Sequence, residues 1–134
     1  MIITLDVSAA VELVIGGKYQ KKIISILNNA DWVISPSLFI YEASNTLWKY
    51  HEYKNYSKKD IMKKINYFYK IIDQFIDAKD IYEEALPLSC KINHPTYDAM
   101  YLVTSRRKNA NLVTLDKKLI KIAKNINIPV SEIY

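Results

Sequence analysis

Four acidic residues stand where a globular chain has little structural use for them. In HPTYDAMYLVTSRRKNANLVTLD, Asp98 falls at the start of an apolar, helix-like run and Asp116 just past the strand-like run NLVTL. Asp6 ends the β-branched run MIITL, and Glu42 lies amid apolar Phe39, Ile40, Ala43 and Leu47, where an unpartnered charge is costly. Asn45, three residues on, is expected on the same helical face as Glu42. Carboxylates gathered in one place raise one another's pKa, so a site that keeps them ionised needs cations. Hard divalent ions suit this, and Mg²⁺ prefers a few carboxylates while keeping waters and substrate phosphates around it. One such ion makes water nucleophilic and a second holds a leaving oxygen in an in-line displacement, so the matching reaction is phosphodiester hydrolysis.

Each residue also has a plainer role. Asp6 or Ser8 can cap the helix that follows, Asp116 can cap KKLIKIAK, and Asp98 can complement a helix dipole. His51 and His94 lack the setting of a nucleophile, and hydrogen-bonded or exposed histidine is the expectation for both. Most of the eleven tyrosines are expected to be packing. Arg106 and Arg107 are suited to bidentate phosphate contacts and are the candidate RNA-binding pair, but equally suit the solvated end of a helix.

The elements that position these residues follow from periodicity. MIITL reads as a strand buried on both faces, followed by a helix over SAAVELVIGG closed by Gly16-Gly17. YQKKIISILNN reads as a helix and WVIS as a second strand. A long helix spans Ser37 to about Tyr53, with Pro36 at its opening. Ser57 caps KKDIMKKINYFYKIID, QFID is an edge strand, and KDIYEEALPLSCKI is a helix broken near Pro87. Pro95 starts TYDAMYLVTSRRK, NLVTL is a strand, KKLIKIAKN a last helix, and IPVSEI a final strand or tail. Strands alternating with helices predict an α/β fold, a mostly parallel central sheet flanked by helices in three layers. Ligands in such folds bind beyond the carboxyl ends of the strands, where Asp6 and Asp116 are placed.

The 134 residues suit a single domain, 1–134, and the balance of 50% apolar to 25% charged residues argues against disorder. WVISPSLFIY is the longest apolar run, well short of the roughly 18 residues of a membrane span. MIITLDVSAA has no basic region before its apolar stretch and does not read as a signal peptide, so a cytoplasmic location is expected. Cys90 is alone, which excludes an internal disulfide, and a buried, inert thiol is expected. A formal charge of +5 favours an anionic partner, nucleic acid among the candidates.

LDVSAAVEL, YEASNTLWKY and YDAMYLVTSRRKNANLVTLDKKL, in this order and spacing, resemble the PIN-domain ribonucleases, and among them the VapC-like toxins of type II toxin-antitoxin pairs. The resemblance spans nearly the whole chain, although Tyr50 to Ile92 matches no motif. It implies a PIN-like fold with a metal site at Asp6, Glu42, Asp98 and Asp116, supported by the hydroxyls of Ser8 and Thr114 and the amide of Asn45. It implies a Mg²⁺- or Mn²⁺-dependent endoribonuclease acting on RNA, a homodimer, and a cognate VapB-like antitoxin that inserts a segment near the acidic rim. Two other readings keep the fold class: a PIN nuclease of RNA processing without an antitoxin, and a non-catalytic, Mg²⁺-binding receiver-like module. A phosphatase of the haloacid-dehalogenase kind is disfavoured, because it needs an aspartate where Ser8 stands.

Overall fold

The computed structural model describes residues 1–134. In chain order it comprises β1 (Ile2–Leu5), α1 (Val7–Ile15), α2 (Gln20–Asn28), β2 (Trp32–Pro36), α3 (Leu38–Lys54) and α4 (Lys58–Ile71). Then come β3 (Gln74–Ile76), α5 (Ala78–Ile92), α6 (Thr96–Lys108), β4 (Asn111–Val113) and α7 (Lys117–Asn125). The four strands form one parallel sheet in the order β3-β2-β1-β4. The first strand is therefore central, flanked by β2 with Ile3 opposite Val33 and by β4 with Leu5 opposite Val113.

Alternation along the strands divides the interior in two. Ile3, Leu5, Val33 and Val113 face a cluster built with Val11, Ile23, Phe39, Leu47 and Phe68 from α1 to α4. Leu112 and Ile76 belong to the opposite cluster, closed by Ile81, Leu88, Leu102 and Leu119 from α5 to α7. Helix, sheet and helix thus make three layers. The motif-free stretch supplies α4 and α5, one roof for each face. No helix is long and apolar enough to cross a membrane.

Several local expectations hold. Gly16 ends α1 in the left-handed region (φ 71°), and the Ser57 hydroxyl accepts from the Asp60 N–H at the start of α4. The QFID segment is the edge strand β3. Two differ. The α5 helix runs unbroken through Pro87, whose exposed ring leaves the Glu83 carbonyl to solvent while Ala85 and Leu88 stay buried on the other side. Cys90 lies on the polar face of the same helix and is exposed, not buried. Of the two readings of IPVSEI, strand or tail, it is a tail with one bridge, Leu112 N–H donating to Pro129 O and Ser131 N–H to Leu112 O.

Pro87 removes a helical hydrogen bond at an exposed position, so Pro87→Ala is expected to stabilise the protein. The gain should be about 1 to 2 kcal/mol, below the full interior-proline cost because proline also restricts the unfolded chain. Urea denaturation checks it: a higher midpoint with unchanged slope is expected, and an unchanged midpoint contradicts it.

Candidate active site

Asp6 leaves β1 with its N–H on Val113 O and an extended backbone, in the N-cap position of α1, yet its side chain makes no cap bond. Its Oδ2 accepts from the hydroxyls of Ser8 and Thr114, each at 2.6 Å. Each hydroxyl has one proton, and both are committed to Asp6, so the 3.1 Å approach of the two oxygens is not a further bond. Instead the oxygens accept from the backbone, Leu115 N–H on Ser8 Oγ at 2.9 Å and Asp116 N–H on Thr114 Oγ1 at 3.0 Å. Asp6 is only 8% exposed. Burial pushes its carboxyl above the ordinary range; the two hydroxyls pull it back, and the charge of Asp98 adds to the rise.

Glu42, on the first turns of α3, accepts at Oε1 from the Tyr101 hydroxyl of α6 at 2.8 Å. Burial is the chief reason that its pKa rises from 4.5 to about 7; the tyrosine opposes this, and the charges of Asp6 and Asp98 reinforce it. Tyr101 is fully buried, and its phenol is pushed upward by burial and then by Asp6 and Glu42, so it stays a donor. Asp98, in the first turn of α6, accepts from His94 Nε2 at 2.5 Å. Asp116 caps α7, its Oδ1 accepting from the Lys118 and Leu119 N–H groups at 3.0 and 3.1 Å. The plain reading is right for Asp116, but capping occupies one oxygen only.

All four acids line one open cleft of about 370 Å³, together with Ser8, at the carboxyl end of β1. They surround it without converging: no three Asp, Glu, His or Cys side chains stand close enough to form a ready-made metal cage. Mg²⁺ does not require one, because it binds through one or two carboxylates and fills its remaining positions with water and phosphate. The donors are all hard oxygens, and Asp6 and Glu42 are held against the charge they would carry. Both features fit a divalent cation.

Two groups of candidates lie elsewhere. Asn45 is exposed and does not line the cleft, whereas Thr46 and Tyr50, one and two turns beyond Glu42, do; the i+4 spacing was the available signal. Arg106 and Arg107 close the far end of α6, roughly 12 Å along the helix from Asp98, and both engage Glu84 of α5. Glu12 is a cleft residue that sequence reasoning passed over, although it too sits in apolar company. It accepts from the Tyr19 N–H at 2.8 Å and lies over Gly17, where a Cβ would collide with its carboxylate. His51 ties the end of α3 to Tyr56 O and is outside the cleft.

The Glu42 shift sets a pH dependence. A carboxyl whose folded pKa is raised contributes stability that is fully present below about pH 4.5 and is lost as the pH rises through about 7. Glu42 is only partly buried, so solvent screening reduces the effect to about 1 to 2 kcal/mol. Glu42→Gln keeps an acceptor for Tyr101 and removes the titration. In chelator, the variant is expected to exceed the wild type by that amount at pH 8 and to converge with it near pH 4; equal urea midpoints at pH 8 contradict the assignment.

The PIN domain model matches residues 3–125. Among solved structures, PAE2754 from Pyrobaculum aerophilum superposes with a TM-score of 0.72 at 20% identity, over 90% of this chain and 78% of its own. VapBC2 from Rickettsia felis, solved bound to a DNA fragment from its promoter, gives a TM-score of 0.66 at 19% identity over 98% of both chains. None of the curated proteins matches. At these identities the superpositions establish the α/β fold alone, and the family rests on the sequence match across most of the chain. The chain belongs to the PIN-domain family.

Proposed function

We propose that the chain is a Mg²⁺-dependent endoribonuclease and the toxin of a toxin-antitoxin pair. PIN domains are generally nucleases. The observation that carries the metal-dependent reading is the gathering of Asp6, Glu42, Asp98 and Asp116 around one cleft, two of them with raised pKa values. Asp6, Glu42, Asp98 and Asp116 would hold Mg²⁺ or Mn²⁺, which would supply the Lewis acidity for activating water against a phosphodiester.

The chain's own groups do the rest. Ser8 and Thr114 fix Asp6 by its Oδ2, Tyr101 fixes Glu42, and the amides of α7 fix Asp116, so each carboxylate meets its ligand in a set orientation. The excess of cations, seventeen of the nineteen being lysine, favours a polyanionic substrate such as RNA. Water is the nucleophile in this scheme rather than a ribose hydroxyl, so products carry 5′-phosphate and 3′-hydroxyl ends. The toxin reading draws on the VapBC2 likeness and implies a VapB-like antitoxin, a homodimer and a cytoplasmic setting.

The test is cleavage of a panel of structured RNAs in Mg²⁺, Mn²⁺ or chelator. Chelation is expected to abolish cleavage and either ion to restore it; full activity in excess chelator sinks the proposal. Asp6→Asn, Asp98→Asn and Asp116→Asn should each lower the rate by about 100-fold or more, since loss of a supporting partner alone reaches about 10- to 100-fold. Asn at 116 still caps α7, and at 6 and 98 it keeps an acceptor oxygen while removing a repelling charge, so metal-free stability should hold or rise. The control is Glu52→Gln, exposed on α3. Asp73 would not serve as a control, because it accepts from the Val33 N–H and braces β2. Near-wild-type cleavage in the three variants would make the acids structural.

A further inference from the structure

The turn between α5 and α6 holds a side chain that the proposed chemistry leaves unused. His94 stands between Asn93, which ends α5 in the left-handed region (φ 51°), and Pro95, which opens α6. Its backbone N–H bonds to Ser89 O, fixing the residue at the close of α5. The imidazole is 6% exposed and has one partner, Asp98 Oδ2, at 2.5 Å from Nε2. Nδ1 is buried and has none.

These contacts assign the ring's proton. With hydrogen on Nδ1, the neutral ring would bury an orphan N–H and set the Nε2 lone pair against a carboxylate oxygen. With hydrogen on Nε2, both problems vanish, and what remains unpaired is a lone pair, which is the less costly orphan. The histidine is thus a donor to Asp98 from a nearly closed pocket.

We infer that His94 is a positioning residue for Asp98: its Nε2–H holds Oδ2, breaks the near-equivalence of the two carboxylate oxygens, and turns Oδ1 to the cleft. The inference rests on the metal-site reading. A carboxylate side chain has a broad terminal torsion, and Asp98 is 27% exposed, so without this donor little in the structure sets its rotation. Orienting partners of this kind typically change metal affinity by about 10- to 100-fold.

The test compares His94→Gln, whose amide nitrogen reaches the place of Nε2, with His94→Leu, which keeps volume without a donor. Mn²⁺ binding to the full chain is measured by calorimetry, alongside RNA cleavage and the metal-free melting temperature. The leucine variant is expected to bind Mn²⁺ about 10- to 100-fold more weakly while staying folded, and the glutamine variant to stay within about threefold of wild type. Wild-type affinity in the leucine variant overturns the inference, as does a glutamine variant no better than leucine. Absence of Mn²⁺ binding by the wild type overturns the metal-site reading and this inference with it. Should the leucine variant not fold, ¹⁵N spectra of the metal-free wild type decide: an Nε2–H tautomer supports the inference, and an Nδ1–H tautomer overturns it.

Discussion

Asp6 is a carboxylate almost removed from water, and the architecture depends on how it is satisfied. Its two hydroxyl donors come from opposite ends of the chain, Ser8 two residues away and Thr114 more than a hundred. The arrangement ties the end of β1 to the end of β4 and demands the register in which Leu5 faces Val113. A slip by one residue would turn Thr114 away and leave the buried Asp6 with Ser8 as its one hydroxyl donor. Strand order follows from the same centre, because β1 has β2 on its other edge and β2 delivers the chain into α3 with Glu42. Helix α6 packs against the sheet and offers Tyr101 to Glu42, so the acids of four separate segments share a rim.

That rim is held against its own electrostatics. Burial raises Asp6 and Glu42, and each feels the charge of Asp98. Such groups cost stability, and raised carboxyls gathered in one cleft are what the proposed site calls for. Asp116 shows that a structural role can leave a chemical one open. It caps α7 with Oδ1 and still borders the cleft, so asking whether an acid is a cap or a ligand poses a false alternative.

Much of this was legible in the sequence, for physical reasons. Asp6 and Asp116 stood at strand ends, where a parallel sheet collects its ligands, and Glu42 stood in apolar company that a solvated residue would not keep. Other features were hidden because they depend on contacts between distant segments. Nothing near Arg106 and Arg107 announces that Glu84 will meet them, and nothing near His94 reveals that its ring will be enclosed. The exchange of Asn45 for Thr46 is a matter of helical phase, one residue of rotation about α3. The misjudged Pro87 and Cys90 share a cause: rules for an average proline or thiol ignore that α5 has a solvated face on which both can sit. The stretch from Tyr50 to Ile92 carries no motif because its elements chiefly roof the sheet, and burial of Phe68 or Ile81 asks for shape and apolarity rather than a particular spelling.

The tie between Ser8 and Thr114 also has a meaning in time. A chain grows from its amino end, and for most of its synthesis Asp6 has Ser8 but neither Thr114 nor the β4 backbone that receives its N–H. The acidic rim can close only once Asp116 is in place, and that residue is joined after almost nine-tenths of these 134 residues. The rim therefore waits on the last strand of the sheet, whatever the cleft acts on. The delay needs no dedicated segment; it is a property of strand order.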